Sequence, residues 1–402
     1  MNEGHDLKIL IYTHAWAPLV GGVQIITRDL AAGLSGWSRT HGGEAIEATL
    51  VTQTPAGKMN DSEVPFRVVR QPSIRRLVSL LREADVVHIA NPALVPLALG
   101  WLLRKRVVVE HSGYQAACPN GLLLFGPDGS VCPGYYLAGC YAKCVECNRK
   151  EIGWWKSVRS LVLTFPRRWL AKRVDVNIAP TQHIGGRVAL PRTRVISHGV
   201  PDYSSSDNGA APPNGVEKPY FAFVGRLVSE KGLPVLLRAC AILAGEGLPF
   251  HLKIVGDGPE REHLEALTVE LGLGSQIEFP GAIPVEQIPS LLRGAIAVII
   301  PSVWEEVAPL VAYEQLMHGR LAIVSAIGGL GEIVDGVGLK FPPGDAQALA
   351  CCMRRAAEEP EFASGMRKRA QQRAQEAFTL ERMVENHVGV YKELAGAGNR
   401  QG

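Results

Sequence analysis

Residues 297–332, AVIIPSVWEEVAPLVAYEQLMHGRLAIVSAIGGLGE, place two short apolar runs, a pair of carboxylates and a glycine turn in one unit. The runs 297–300 and 321–325 are too continuously apolar to alternate faces, the pattern of parallel strands covered on both sides. Between them the spacing predicts one helix. Pro309 suits its first turn, where a missing N–H costs nothing, Leu310, Tyr313, Leu316 and Met317 supply an apolar face, and His318-Gly319 is a good left-handed stop. Strand, loop, helix N-terminus and glycine turn make the anion-binding edge of an open α/β sheet.

Glu306 stands before this helix and Glu314 inside it, and a Gly-Gly turn with Glu332 follows the next strand. Carboxylates at such an edge suit hydroxyl-rich ligands, because they accept strong hydrogen bonds from sugar hydroxyls, while N–H groups and the helix dipole hold phosphate. The plainer alternative is two solvated surface glutamates. Upstream, a strand over 220–224 runs into GRLVSEKGLPVLLRA. Gly225, Arg226 and Lys231 ahead of a helix are built to hold a diphosphate, with two cations to neutralise a leaving group. A strand over 252–255 ends at Gly256 on the same edge. Neither G-x-G-x-x-G nor a Walker lysine loop occurs, so dinucleotide and P-loop enzymes lose their main support.

The first half alternates strands (48–52, 66–70, 85–89, 106–110) with helical stretches (74–82, 95–103), which describes another doubly wound domain. After its first strand, 8–12, Gly21-Gly22 would let backbone approach a ligand closely, with His14 and Gln24 as secondary candidates. His111 stands directly after the strand VVVE, where open α/β sheets bind ligands, and His88 also ends a strand.

The stretch PSVWEEVAPLVAYEQLMHGRLAIVSAIGGLGEIV resembles the donor-binding signature of the retaining glycosyltransferases of family 4, with Glu306 and Glu314 on its two glutamates. Arg226 and Lys231 match that family's diphosphate-binding pair, VVVEHSGY matches the segment whose histidine contacts the donor sugar, and Gly21-Gly22 fall on its glycine loop. Two departures stand out: Ala308-Pro309 where the family more often has Phe-Gly, and His198-Gly where it has Asn-Gly. The resemblance implies the GT-B fold, two doubly wound Rossmann-like domains facing a cleft: 1–201 on the acceptor side with a Cys-rich insertion at 118–147, a linker at 202–218, a donor domain at 219–378, and a helix at 379–395 returning to the first domain. It implies transfer of a sugar, with retention, from a nucleotide diphosphate sugar to an acceptor hydroxyl on a glycan or lipid-linked molecule. Catalytic roles fall to His111, Glu306, Arg226 and Lys231. Donor-binding roles fall to these last three with Gly21, Gly22, Gly225, Gly256, Pro309, Leu310 and Glu314. No catalytic cofactor is implied. A nucleotide-sugar epimerase of the same fold and a non-catalytic binding subunit are the rivals.

At 402 residues the chain has the length of two domains, and 47% apolar content is ample for two cores. A net charge of +3 is too mild to argue for nucleic acid. The start, MNEGHDLKILIY, lacks a basic-then-apolar leader, and no apolar run reaches membrane-spanning length, so a cytoplasmic location is expected. Five of the eight cysteines fall in 118–147. Cys132, Cys140, Cys144 and Cys147 would make a structural zinc site, with disulfides or free thiols as the other readings; a subset of family 4 has a similar insertion. Residues 151–175 interleave Trp154, Trp155 and Trp169 with six cations, which suits peripheral contact with an anionic inner-membrane surface, or else a core helix with snorkelling arginines.

Overall fold

The computed structural model describes residues 6–18, 21–41, 45–57, 60–202 and 220–397. Of the expected linker at 202–218, Asp202 alone is among them, and the rest lies outside the described residues. Contacts divide the chain into two compact units, Met1–Gly199 with Leu380–Gly402, and Val200–Thr379.

The first unit runs β1 (Leu7–Thr13), α1 (Gly22–His41), β2 (Ile46–Thr52), β3 (Arg67–Arg70), α2 (Ile74–Glu83), β4 (Val86–Ala90), α3 (Leu94–Leu102) and β5 (Arg106–Glu110). A hairpin follows, β6 (Leu124–Phe125) with β7 (Ser130–Val131), then α4 (Tyr141–Ile152), α5 (Trp154–Ala171), β8 (Val176–Ala179), α6 (Gln182–Val188) and β9 (Thr193–Val195). Among the described residues its sheet has the order β3-β2-β1-β4-β5-β8-β9, every pairing parallel. Strands β1 and β4 are buried almost throughout because helices cover both faces, which is why their sequences do not alternate. Ser73 and Thr181 cap α2 and α6 by accepting from Arg76 N–H and Ile184 N–H.

The second unit runs β10 (Tyr220–Val224), α7 (Leu233–Gly245), β11 (Leu252–Val255), α8 (Arg261–Glu270), β12 (Ile277–Gly281), α9 (Ile288–Leu292), β13 (Ala295–Ile300), α10 (Leu310–Met317) and β14 (Ala322–Ser325). It closes with α11 (Gly328–Ile333), β15 (Leu339–Phe341), α12 (Ala346–Glu358) and α13 (Pro360–Ala377). The described sheet order is β12-β11-β10-β13-β14-β15, again parallel. The last helix, α14 (Leu380–Gly396), belongs to the first unit, where Gly33 of α1 leaves room for Val384.

Both sheets are doubly wound. Strand order reverses between β1 and β4 in one and between β10 and β13 in the other, and at such switch points the loops leaving the carboxyl ends open a crevice. The loops carrying Gly21-Gly22, Arg226-Lys231 and Glu306 follow β1, β10 and β13.

One difference from the sequence reading and three elements it did not assign have physical reasons. The glycine turn at 328–329 begins a short helix, α11, despite two residues of poor helix propensity, because Leu330 and Ile333 are buried in the core. Residues 261–270 form α8, with Leu264 and Thr268 on a shared buried face. Thr193–Val195 adds an edge strand, β9, which pairs with β8. The cysteine-rich end is helical, with Cys144 and Cys147 on the buried side of α4.

The structure gives the zinc and disulfide readings no support. All eight cysteines are unbridged, and among the described residues no three of these sulfurs gather within metal-bridging distance. They take part in the local packing. The Cys147 sulfur accepts from Gly126 N–H at 3.2 Å, Cys132 accepts from Gly134 N–H at 3.4 Å, Cys140 is exposed, and burial pushes the Cys144 thiol up to about 12.

Candidate functional site

In the second unit the site is assembled by backbone contacts that only glycine permits. Gly232, at φ +66°, initiates α7, and a Cβ there would lie 2.0 Å from Pro301 O, so the loop after β10 presses against the end of β13. Val303 N–H donates to Glu230 O at 3.0 Å and stitches the same two loops. From the other side, Gly328, at φ +60°, abuts the backbone of Glu306, whose carbonyl accepts from Gly329 N–H at 2.7 Å. The Gly-Gly turn therefore positions Glu306.

These contacts bring Lys231 and Glu306, 75 residues apart, together. Lys231 Nζ donates to Glu306 Oε1 at 2.5 Å, and Ser302 Oγ donates to the same oxygen at 2.7 Å. The carboxylate is buried, while the lysine keeps about a fifth of its surface, 20%. An interior carboxylate is tolerable because it is paired and hydrogen-bonded. Arg226 is exposed in the same loop as Lys231, and Gly225 and Gly256 end β10 and β11 beside each other, with Gly225 N–H donating to Val255 O at 3.0 Å. This edge thus presents an ammonium, a guanidinium and the N-terminus of α7, a set fit to bind and stabilise an anion.

Pro309 caps α10 in extended conformation and Leu310 begins it. Glu314, one turn further, does not join the Lys231 cluster. It lines a cavity of about 450 Å³ with Ile288, Pro289, Arg293, Gln315, His318 and Arg320. Burial pushes its carboxyl pKa up, opposed by the Arg320 guanidinium. Arg320 is itself fixed by Gln315 Oε1 at 3.2 Å and Pro289 O at 2.8 Å.

In the first unit, His111 follows β5 and is fully buried. Asn177 Nδ2 donates to Ala171 O and Pro191 O, which turns Asn177 Oδ1 toward His111 Nε2 at 2.9 Å. That oxygen can only accept, so Nε2 carries the ring proton and Nδ1 is a bare acceptor with no hydrogen-bond partner. Desolvation lowers the imidazole pKa to about 4, against the Asn177 bond and the Glu110 carboxylate, so the ring is neutral near pH 7. Gly22 begins α1, and the side chains of His14 and Gln24 line a cavity of about 840 Å³ with Asn91, Gln115 and Arg167, at the carboxyl ends of β1 and β4. Sequence reasoning missed Ser302 and Asn177 as partners. Ser302 stood inside the quoted stretch, whereas Asn177 lies 66 residues from His111 and carried no local signal.

His88, Glu110 and His198 form a separate buried cluster with α14. Glu110 is held well below the usual carboxylate range: burial opposes its ionisation, but the imidazoles of His198, His387 and His88 outweigh it.

On α5, Trp155 is 78% exposed, and Trp154, Val162, Phe165 and Trp169 are also exposed. Trp101 and Leu102 at the end of α3 extend the patch, with Trp101 against Trp169 at 5.3 Å and the Arg173 guanidinium 3.7 Å over the Trp169 ring. The tryptophans therefore do not join the core. Among the described residues no helix is long and apolar enough to cross a membrane.

Residues 207–373 match the model of the family described as Glycosyl transferases group 1. The 2-deoxystreptamine glucosyltransferase of Streptomyces kanamyceticus is 29% identical over 240 residues, 55% of this chain and 62% of that protein. The alpha-D-kanosaminyltransferase of the same organism is 28% identical over 180 residues, 44% of this chain and 46% of that protein, so the matches span about half the length of these relatives. Anabaena HepE, solved in complex with UDP, superimposes with a TM-score of 0.70 at 19% identity, covering 96% of this chain and 100% of HepE. That likeness shows the fold: two Rossmann-like domains in the GT-B architecture.

Proposed function

We propose, from the premise that residues 207–373 are a domain of the glycosyl transferases group 1 family, that this chain transfers a sugar from a nucleotide diphosphate sugar to an acceptor hydroxyl, with retention of anomeric configuration. The observation that carries the reading is the Lys231–Glu306–Ser302 cluster beside the N-terminus of α7. In the reaction the bond from the anomeric carbon to the diphosphate breaks, the acceptor oxygen bonds that carbon, and the acceptor's proton leaves with the nucleoside diphosphate. Negative charge grows on the departing diphosphate, and Lys231, Arg226 and the α7 N–H groups stabilise it where it develops.

Glu306 holds Lys231 in place and accepts from donor-sugar hydroxyls, and Glu314 accepts from ribose hydroxyls at its cavity. His111 Nδ1, a fixed bare acceptor, orients a sugar hydroxyl. The cavity at the ends of β1 and β4 takes the acceptor. HepE, which shares the fold, forms a complex with UDP, and this favours a uridine diphosphate sugar here. No carboxylate is assigned as nucleophile; positioning and leaving-group stabilisation supply the rate.

A thermal-shift screen against UDP, GDP, ADP and dTDP tests this. A diphosphate at about a hundred times its dissociation constant stabilises the protein by about 2.7 kcal/mol, and Glu314→Ala and Lys231→Ala should each lose about half of that response or more. Product analysis with donor alone exposes an epimerase, and donor binding without turnover across an acceptor panel marks a non-catalytic binding subunit.

The exposed Trp101, Trp154, Trp155 and Trp169 with their neighbouring cations support a second element of the reading, docking on an anionic membrane surface that carries a lipid-linked acceptor.

A further inference from the structure

The buried cluster of the first unit has no part in the proposed transfer. Glu110, the last residue of β5, lies among His88 of β4, His387 and Tyr391 of α14, and His198, all at most 5% exposed. His88 Nε2 is 3.2 Å and His387 Nε2 is 3.7 Å from Glu110 Oε2, and His198 Nε2 is 3.3 Å from Oε1. The ligand-type atoms of His88, Glu110 and His387 all lie within 4.8 Å of one another.

The proton positions make this arrangement informative. His387 Nδ1 is 2.8 Å from Met383 O, and a carbonyl only accepts, so Nδ1 bears the proton. Its Nε2 faces Glu110 Oε2 at 3.7 Å, where it makes no hydrogen bond. A carboxylate oxygen and an imidazole nitrogen that face each other unbonded in a dry interior call for a positive charge there, a proton or a metal ion. The other ring is anchored in the same manner, with His88 Nδ1 2.9 Å from Tyr391 Oη. Imidazoles whose outer nitrogens are fixed by a carbonyl and a hydroxyl, beside a carboxylate, are the outer-shell arrangement of a transition-metal site.

We propose that His88, Glu110 and His387 bind one divalent transition-metal ion of the zinc class, with His198 as a further ligand. Imidazole and carboxylate favour zinc, cobalt, nickel or iron(II) over calcium and magnesium. Its ligands come from β4, β5 and α14, so the ion would clip the C-terminal helix to the sheet of its own unit.

The test uses the full chain, stripped with a chelator and titrated with Zn²⁺ and Co²⁺, with bound metal counted by mass spectrometry. The expected result is one equivalent per chain and a Co²⁺ spectrum with d–d bands and no thiolate charge-transfer band. His387→Gln should weaken binding by at least about a hundredfold and Tyr391→Phe by about tenfold, the range seen for outer-shell partners, with far-UV circular dichroism of the stripped protein unchanged. Should His387→Gln fail to fold, the wild-type spectrum and Tyr391→Phe still decide. The proposal is overturned if the stripped wild type binds neither metal, which would assign the cation to a proton on His387. A thiolate band would assign the metal to the cysteines, and loss of binding in His41→Ala would assign it to the exposed His41, Glu381 and Glu385; either result overturns it too.

Discussion

Replacing Lys231 with Met should separate what the Lys231–Glu306 pair does for stability from what it does for the reaction. Removing the ammonium leaves a carboxylate 6% exposed with Ser302 Oγ as its remaining donor among these contacts. Breaking a fully desolvated pair costs about 3–5 kcal/mol; because Lys231 keeps some contact with water, we expect about 2–3 kcal/mol. Glu306→Gln strands a lysine that can turn to solvent, and should cost about 1 kcal/mol. In the double variant neither charge is left unmatched, so its cost should fall about 1.5 kcal/mol short of the sum of the singles. Hydrogen exchange of the β13 and α10 amides reads this locally, with about a tenfold faster exchange for each 1.4 kcal/mol. Turnover should behave differently: Lys231→Met and the double variant should both lose about 10²–10³ in kcat, since the lost cation acts on the leaving group. A coupling below about 0.5 kcal/mol would refute the buried-pair argument, and wild-type turnover in Lys231→Met would refute the catalytic one.

Four further outcomes are expected. His111 has a folded pKa near 4 against an ordinary 6.5, so between those values the unfolded chain binds a proton the folded chain does not, and stability falls as pH drops through that window by up to about 3 kcal/mol; His111→Gln should flatten this part of a pH–stability curve, and an NMR titration midpoint near 6.5 would contradict it. Glu314→Ala should weaken the responding nucleoside diphosphate at least about tenfold by calorimetry, the worth of a charged hydrogen bond. Gly328→Ala should cost more than about 1 kcal/mol in chemical unfolding, because its Cβ would lie 2.5 Å from Glu306 O at a positive φ. Trp154→Ala with Trp155→Ala should reduce co-sedimentation with anionic vesicles at low salt and leave donor binding intact; equal sedimentation would remove the membrane reading.

The doubly wound fold was legible because a parallel strand covered on both faces must be apolar throughout, and runs such as AVII and VVVE show this without any partner. The glycines at 225, 256 and 328 and the Pro309–Leu310 helix start were equally local, since positive φ and helix initiation restrict residue type where they occur. Glu306 and Lys231 could be picked out as members of an anion-binding edge for the same reason.

Their pairing was not readable, because it depends on two loops meeting across β10 and β13. The cysteines illustrate the limit from the other side: spacing allowed a metal tetrad, but helix α4 sets Cys144 and Cys147 into local packing, and a sulfur's direction follows from the backbone it rides on. The same holds for Glu110 and its histidines. They lie at residues 88, 110, 198 and 387, and no spacing rule joins them. What the sequence by itself determined was therefore the covered parallel strands, the glycine turns and the residue types at each strand end, all properties of short segments. Which of those residues touch, which imidazole nitrogen carries a proton and which carboxylate is desolvated were decided only by tertiary structure, because burial and hydrogen-bond partners are set by chain segments tens to hundreds of residues away.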